Sequence, residues 1–228
     1  MTPTKNHPFK IRDYFLNFLF PPFCAGCQVY LGLKANAREL CTQCRQALER
    51  SIEIHPHQQR GPAPIDLRWS MASYRDEPLA TLIHKIKYQR KNWIMETIEP
   101  FIEESASVVN WGAMADMIIP VPLHPRRQRA RGFNQAALIA RALARPYGLK
   151  IAENVLMRIK PTKPQKDIKD PAARKANIQN AFKALPEVED QRILLVDDVS
   201  TTGATLKECA LALEAQGAKR IHAFTLAH

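Results

Sequence analysis

Apolar positions along the chain recur with two alternating periods. Leu67 to Tyr74 reads as a strand, and Leu79, Leu82, Ile83 and Ile86 share one face of a helix over Leu79 to Lys87. Ile94, Ile98 and Ile102 mark a second helix between Asn92 and Glu104, and Met117 to Val121 is a buried strand. Asn134 caps a helix carrying Leu138, Ala142 and Leu143, which stops before Pro146 and Gly148. Leu149 to Met157 offers strand material, and Ile193 to Val196 is the continuous apolar run expected of a central parallel strand. Its helix runs from Thr205 to Gln216 with Gly217 as the stop, and Arg220 to Leu226 is a last strand. The alternation predicts an α/β fold, a mostly parallel sheet covered on both faces. Ligands of such sheets bind outside the carboxyl ends of the strands.

The two flanking segments differ from this pattern. Ser51 to Asp66 holds Pro56, Gly61, Pro62 and Pro64 among polar residues, and reads as a linker between a segment over residues 1–50 and a domain over 67–228. Near the start, Tyr14 to Phe20 is aromatic and apolar but carries Asn17, and Pro21-Pro22-Phe23-Cys24 follows in place of a small-residue cleavage site. It reads as an amphipathic helix packing on the body of the protein rather than as a signal peptide.

Composition adds little to the fold but narrows the partners. The 228 residues, 46% hydrophobic, can bury one medium domain plus a small appendage. Thirty-three Lys and Arg against 22 Asp and Glu give a net charge of +11, which suits a polyanionic ligand or nucleic acid and equally a solvated surface. No run approaches the ~18 apolar residues of a membrane helix, and the expected location is cytoplasmic.

Four of the five cysteines form two pairs, Cys24-Ala25-Gly26-Cys27 and Cys41-Thr42-Gln43-Cys44. Each two-residue spacing lets a tight turn aim both thiolates at one centre. Two such turns complete a tetrathiolate site, for which zinc is the usual occupant, and four protein ligands make it structural. Paired disulfides are disfavoured without a secretory signal, and two matched pairs argue against a single redox dithiol. Gly26 is expected to supply backbone freedom for its turn. His55 and His57 are read as solvent-facing, and Cys209, in step with Leu206 and Leu213, as a core thiol.

The strand Ile193 to Val196 ends in Asp197 and Asp198 and passes through Val199-Ser200-Thr201-Thr202-Gly203-Ala204-Thr205 into a helix. Ser200 to Thr205 can wrap a phosphate closely because Gly203 and Ala204 add no bulk. Loop amides and the helix N-terminus then offer donors and a positive dipole end. The two carboxylates stand where they can accept hydrogen bonds from neighbouring hydroxyls. Phosphate beside a vicinal diol describes a ribose 5-phosphate.

This run resembles the phosphoribosyl-pyrophosphate (PRPP) loop of type I phosphoribosyltransferases. The resemblance implies that Asp197 and Asp198 are the catalytic acids holding the ribose hydroxyls, and that Ser200, Thr201, Thr202, Gly203, Ala204 and Thr205 hold the 5-phosphate. A second segment, Pro120-Val121-Pro122-Leu123-His124-Pro125-Arg126-Arg127-Gln128-Arg129-Ala130-Arg131-Gly132-Phe133-Asn134-Gln135, sets four arginines in six positions on an expected loop at the same sheet edge. They can clamp phosphate oxygens, Arg126 and Arg127 foremost, or form a solvated basic loop.

With the cysteine pairs, these motifs closely resemble the ComF family, small bacterial proteins with a zinc-binding segment and a phosphoribosyltransferase-like domain, linked to natural competence and use of external DNA. The likeness extends to His84-Lys85-Ile86-Lys87-Tyr88 and to Arg158, Thr162, Gln165, Arg174, Asn177, Ala181 and Phe182. By position it implies that Lys87 and Tyr88 contact PRPP on the pyrophosphate side. Gln89-Arg90 stands there where the family often has glycine. Arg158 to Phe182 resembles the mobile loop that closes over PRPP in related amidotransferases, with a charged surface connection as the alternative.

The implied function is binding of PRPP with magnesium in support of DNA uptake or use of external DNA, as a phosphoribosyltransferase if active. The alternative is a non-catalytic, PRPP-responsive module that engages single-stranded DNA or a partner of the uptake machinery. An aromatic content of 7% without any aromatic repeat gives little sign of a base-stacking groove.

Overall fold

The computed structural model describes residues 11–35, 39–52, 55–57, 64–74, 77–89, 93–160 and 170–228. Its strands are β1 (His55–His57), β2 (Leu67–Ala72), β3 (Met117–Pro120), β4 (Lys150–Ile151), β5 (Leu156–Arg158), β6 (Phe182–Ala184), β7 (Arg192–Val199) and β8 (Arg220–Ala227). Six of them form one sheet in the order β1-β2-β8-β7-β3-β4. β1 runs antiparallel to β2, and the other neighbours are parallel.

The helices are α1 (Ile11–Leu19), α2 (Thr42–Ser51), α3 (Glu77–Gln89), α4 (Ile94–Ser107), α5 (Trp111–Met114), α6 (Pro125–Arg131), α7 (Gln135–Ala144), α8 (Pro171–Ile178) and α9 (Ala204–Glu214). Alternate residues of the central strands face opposite layers. Leu194, Val196, Phe224 and Leu226 pack with Trp69, Trp111, Ile98, Ile102, Ile139 and Leu143 on one side. Ile193, Leu195, Ile221 and Ala223 meet Leu206, Cys209 and Leu213 of α9 on the other. Each fully buried Leu or Ile contributes about 1.5–3 kcal/mol of transfer free energy, so the doubly covered β7 is the firmest part of the scaffold. Asp197 and Asp198 lie near its carboxyl end.

The N-terminal segment shares the first of these cores. Cys24, Leu40 and Leu48 are buried against it, although the segment is too small to build a core alone.

Four expectations change. The segment read as a linker contains β1, which pairs His55 with Ser70 and His57 with Arg68 along the sheet edge. Leu149 to Met157 is not one strand: it bends after β4, and β5 leaves the main sheet to pair with β6. The arginine-rich stretch is the helix α6, because His124 caps it and Pro125 opens it with a preset φ. Helix α1 forms as expected, but among its described side chains Phe15, Leu16, Phe18 and Leu19 are exposed rather than buried. Phe15, Phe18 and Phe20 are 65%, 75% and 72% exposed.

Candidate functional site

β7 delivers Asp197 and Asp198 to the carboxyl edge of the sheet, both half-buried. The Asp198 N–H donates to Asp197 Oδ1 at 2.8 Å, which fixes the first carboxylate against its own backbone. Burial, then the neighbouring Asp198 charge, pushes the Asp197 carboxyl up to about 7, while Lys87, that N–H and Arg158 act in the opposite direction. An acid held this far from its usual range gains most from a ligand that donates hydrogen bonds to its ionised form.

The chain then turns. Ser200 is buried and its N–H donates to Ala227 O at 3.0 Å, anchoring the turn to β8. Thr201 and Thr202 are exposed, and Thr202 Oγ1 accepts from the Ala204 N–H at 3.4 Å. Gly203 has φ +71°, a left-handed conformation that side chains resist, and α9 starts from there. Gly203, Ala204 and Thr205 follow, each half-buried.

Cations gather round this turn. Lys87, near the end of α3, places Nζ 2.9 Å from Asp198 Oδ1. Burial works against this ammonium, but Asp198, then Asp197 and Tyr74, outweigh it and raise its pKa. Lys87 thus lies on the helix expected over Leu79 to Lys87. Tyr88 continues the helix, and its side chain lies outside the described residues, as do Arg90, Thr162, Gln165, the Arg174 side chain and the lysines between 161 and 169. Of the remaining positions of the segment Arg158 to Phe182, Asn177 and Ala181 flank the end of α8 and Phe182 opens β6.

Two further arginines reach the same place. Arg158 ends β5, lies over the Phe182 ring at 5.3 Å, and is close enough to Asp197 and Arg127 to affect its charge state. Burial lowers its pKa, Arg127 adds to the lowering, and Asp197 counteracts it. Arg68 on β2 donates from Nη1 to Ser200 Oγ at 3.4 Å. On α6, Arg126 is exposed and Arg127 half-buried. His124, the histidine of that segment, is spent as the α6 cap, Nδ1 accepting from Arg126 N at 3.3 Å.

α6 and α7 are fixed to the sheet by local chemistry. Gly132 closes α6 at φ +86°. Asn134 Oδ1 accepts from Ala136 N while its Nδ2 donates to Val121 O, tying the start of α7 to the end of β3.

A separate cluster lies behind α3. The ligand atoms of Cys24, Cys27, Cys41 and Cys44 all lie within 4.8 Å of one another. A tetrahedral four-thiolate site with metal–sulfur bonds of about 2.3 Å has sulfurs about 3.8 Å apart, and the Cys27 and Cys41 sulfurs are 3.7 Å apart. Cys41 N donates to Cys24 Sγ at 3.2 Å and Cys44 N to Cys41 Sγ at 3.4 Å. Burial opposes ionisation of Cys24, but the backbone donors of Cys41, Cys27 and Gly26 bring its pKa down to about 7. Burial and the other three thiols push Cys44 up to about 12, the strain that a cation relieves. Gly26 is required for space rather than for backbone freedom. A Cβ there would fall 2.8 Å from Cys44 Sγ. These four residues are positioned to bind a metal ion.

Lys85 joins the two centres. Its buried Nζ donates to Ala25 O at 2.6 Å and Gly26 O at 2.8 Å, inside the first cysteine turn. Two residues on, Lys87 faces Asp198.

The phosphoribosyl transferase domain family model matches residues 130–228. Over 212 residues the chain is 31% identical to Competence protein F of Haemophilus influenzae, covering 90% of this chain and 89% of that protein. The chain belongs to the ComF family. Other ComF relatives include Competence protein ComFC of Bacillus subtilis, 35% identical over 92% of this chain and 86% of that one. DNA utilization protein YhgH of Salmonella typhimurium is 28% identical over 90% and 96%. The transferase match contains β7, the turn and α9. The four-cysteine cluster, Arg68, Lys85 and Lys87 all precede it.

Proposed function

We propose that this ComF protein binds PRPP with magnesium, and that the ligand governs its part in DNA uptake or the use of external DNA in the cytoplasm. The observation that carries the reading is the convergence at one sheet edge of paired carboxylates, a small-residue turn at a helix start and Lys87 on Asp198. Asp197 and Asp198 accept the ribose hydroxyls, and Ser200 to Thr205 surround the 5-phosphate. Lys87, Tyr88, Arg126 and Arg127 attend the pyrophosphate. Bound magnesium supplies charge neutralisation of the leaving pyrophosphate. A chain that turns PRPP over displaces that pyrophosphate from C1 in favour of an acceptor.

A calorimetric titration tests the binding. One PRPP per chain with magnesium, and much weaker binding without it, is expected; no uptake of PRPP in either condition would overturn the reading. Because the ionised Asp197 carboxylate is the stronger acceptor for a hydroxyl, binding favours that form and releases protons. With its carboxyl pushed up to about 7 in the free protein, apparent affinity falls by up to about tenfold between pH 8 and pH 6. Titrations in two buffers of different ionisation enthalpy measure that release.

The non-catalytic alternative draws on the exposed Arg126 and Arg129 of α6, which present charge to an anionic strand beside the ligand site. DNA binding that weakens with salt and responds to PRPP without pyrophosphate release favours it.

The four cysteines hold a structural zinc ion in this reading. Their donor chemistry, all thiolate and with no open position, suits zinc. Elemental analysis of the purified chain is expected to give one zinc per chain, lost in Cys24→Ser.

A further inference from the structure

Arg68 lies in the first half of β2, where neither the apolar pattern nor the transferase match marks it. Strand register determines where it points. Arg68 pairs across with Ala223 of β8, which pairs with Leu195 of β7. Side chains in register share a face, so Arg68 lies on the α9 side of the sheet, with Asp197 one pleat further on. From there its guanidinium extends up to the turn. Nη1 is 3.4 Å from Ser200 Oγ and 3.1 Å from the point a Cβ on Gly203 would occupy. Ser200 Oγ is 3.9 Å from that same point. Guanidinium, hydroxyl and the bare Cα of Gly203 thus converge at the start of α9.

The cation is not neutralised there. Among the described residues no carboxylate forms an ion pair with Arg68, and its Nε is buried without a hydrogen-bond partner. Burial lowers its pKa, and no anion counters that effect. Lys87, by contrast, has Asp198. A partly desolvated guanidinium with donors to spare, set under a turn of small residues, calls for a planar or tetrahedral oxyanion.

We infer that Arg68 is a ligand of the terminal phosphate of a phosphorylated pentose, reaching it from beneath the turn, and that it makes the site select phosphorylated over unphosphorylated sugar. This rests on the site proposed above and adds to it a residue from outside the turn. It also divides the labour of the cations. Arg68 serves the terminal ester, and Lys87 serves the side of the paired acids.

The test uses the full chain and three probes, ribose 5-phosphate, inorganic pyrophosphate and PRPP with magnesium, against Arg68→Met and Arg68→Lys. Arg68→Met is expected to bind ribose 5-phosphate at least tenfold more weakly, with pyrophosphate affinity unchanged and Arg68→Lys in between. The ligand-free melting temperature of Arg68→Met is expected to hold or rise, because a buried uncompensated charge has gone while the apolar stem remains. A merely structural arginine would lower it. Unchanged ribose 5-phosphate affinity in Arg68→Met overturns the inference even if PRPP binds. Arg68-dependent binding of ribose 5-phosphate without PRPP binding sustains it and removes the PRPP reading. If ligand-free Arg68→Met melts lower and Arg68→Lys binds as wild type, Arg68 is structural and the inference fails.

Discussion

Asparagine at Asp197 and at Asp198 is expected to weaken PRPP binding alike, while moving the stability of the free protein in opposite directions. Each substitution removes a charged acceptor for a sugar hydroxyl. Hydrogen bonds to charged groups contribute about 1.5–3 kcal/mol, so each variant loses about tenfold to a hundredfold in affinity. The stability effects follow from the surroundings. Burial and Asp198 raise the Asp197 pKa in the folded chain, so the protonated acid is the form the fold favours. That contribution is complete below the unfolded pKa, about 3.9, and is lost as pH rises through about 7. At pH 8 the carboxylate therefore destabilises the free protein. Asp197→Asn removes the charge, keeps an acceptor for the Asp198 N–H, and raises the melting temperature.

Asp198→Asn does the reverse. It strands the Lys87 ammonium, which burial already disfavours and which Asp198 holds at 2.9 Å. Its melting temperature falls, and adding Lys87→Met restores part of the loss. Thermal melts at pH 8 beside PRPP titrations measure both quantities. Wild-type affinity in both variants would remove the acids from the site, and equal stability shifts would refute the electrostatic account. A stability rise coupled to lost binding is the signature of a residue strained for a ligand.

How much of this was readable in the chain depended on how local each cause is. The run Ile193 to Val196, the paired acids and the turn are contiguous, so strand, site and helix start could be placed from residue order alone. The same holds for the cysteine pairs and for Asn134 as a cap. Arg68 was hidden because its role depends on the β2–β8–β7 register, a long-range fact. Lys85 does carry a local signal. It stands between Leu82 and Ile86 on the apolar face of α3, where a lysine needs buried acceptors. His124-Pro125 and Gly132 similarly bracket α6 with a cap, an N-terminal proline and a left-handed stop. Helix α1 misled because amphipathic periodicity gives a helix its apolar face without saying what meets it. β1 was missed because three residues among prolines carry no period.

Lys85→Met should loosen the metal-binding segment and, through α3, weaken the ligand site as well. The Lys85 ammonium is buried and donates to two carbonyls inside the Cys24–Cys27 turn, at 2.6 and 2.8 Å. Methionine fills similar volume but donates nothing, so both carbonyls lose a charge-assisted bond. At about 1.5–3 kcal/mol each, less the relief of an ammonium no longer buried, a loss of about 2–4 kcal/mol is expected. It falls where the chain can least absorb it, since the N-terminal segment adds Cys24, Leu40 and Leu48 to a core it cannot build alone. Faster zinc transfer to a competing chelator and a lower melting temperature are the readouts. Because α3 has Lys85 against the cysteine turn and Lys87 against Asp198, a shift of the helix at one centre displaces a cation at the other. A several-fold loss of PRPP affinity should therefore accompany Lys85→Met and also follow chelation of the wild-type metal. Lys85→Arg, which retains donors, should recover part of both. Unaltered PRPP affinity in Lys85→Met with accelerated metal loss would show that the two centres share a helix but are energetically independent.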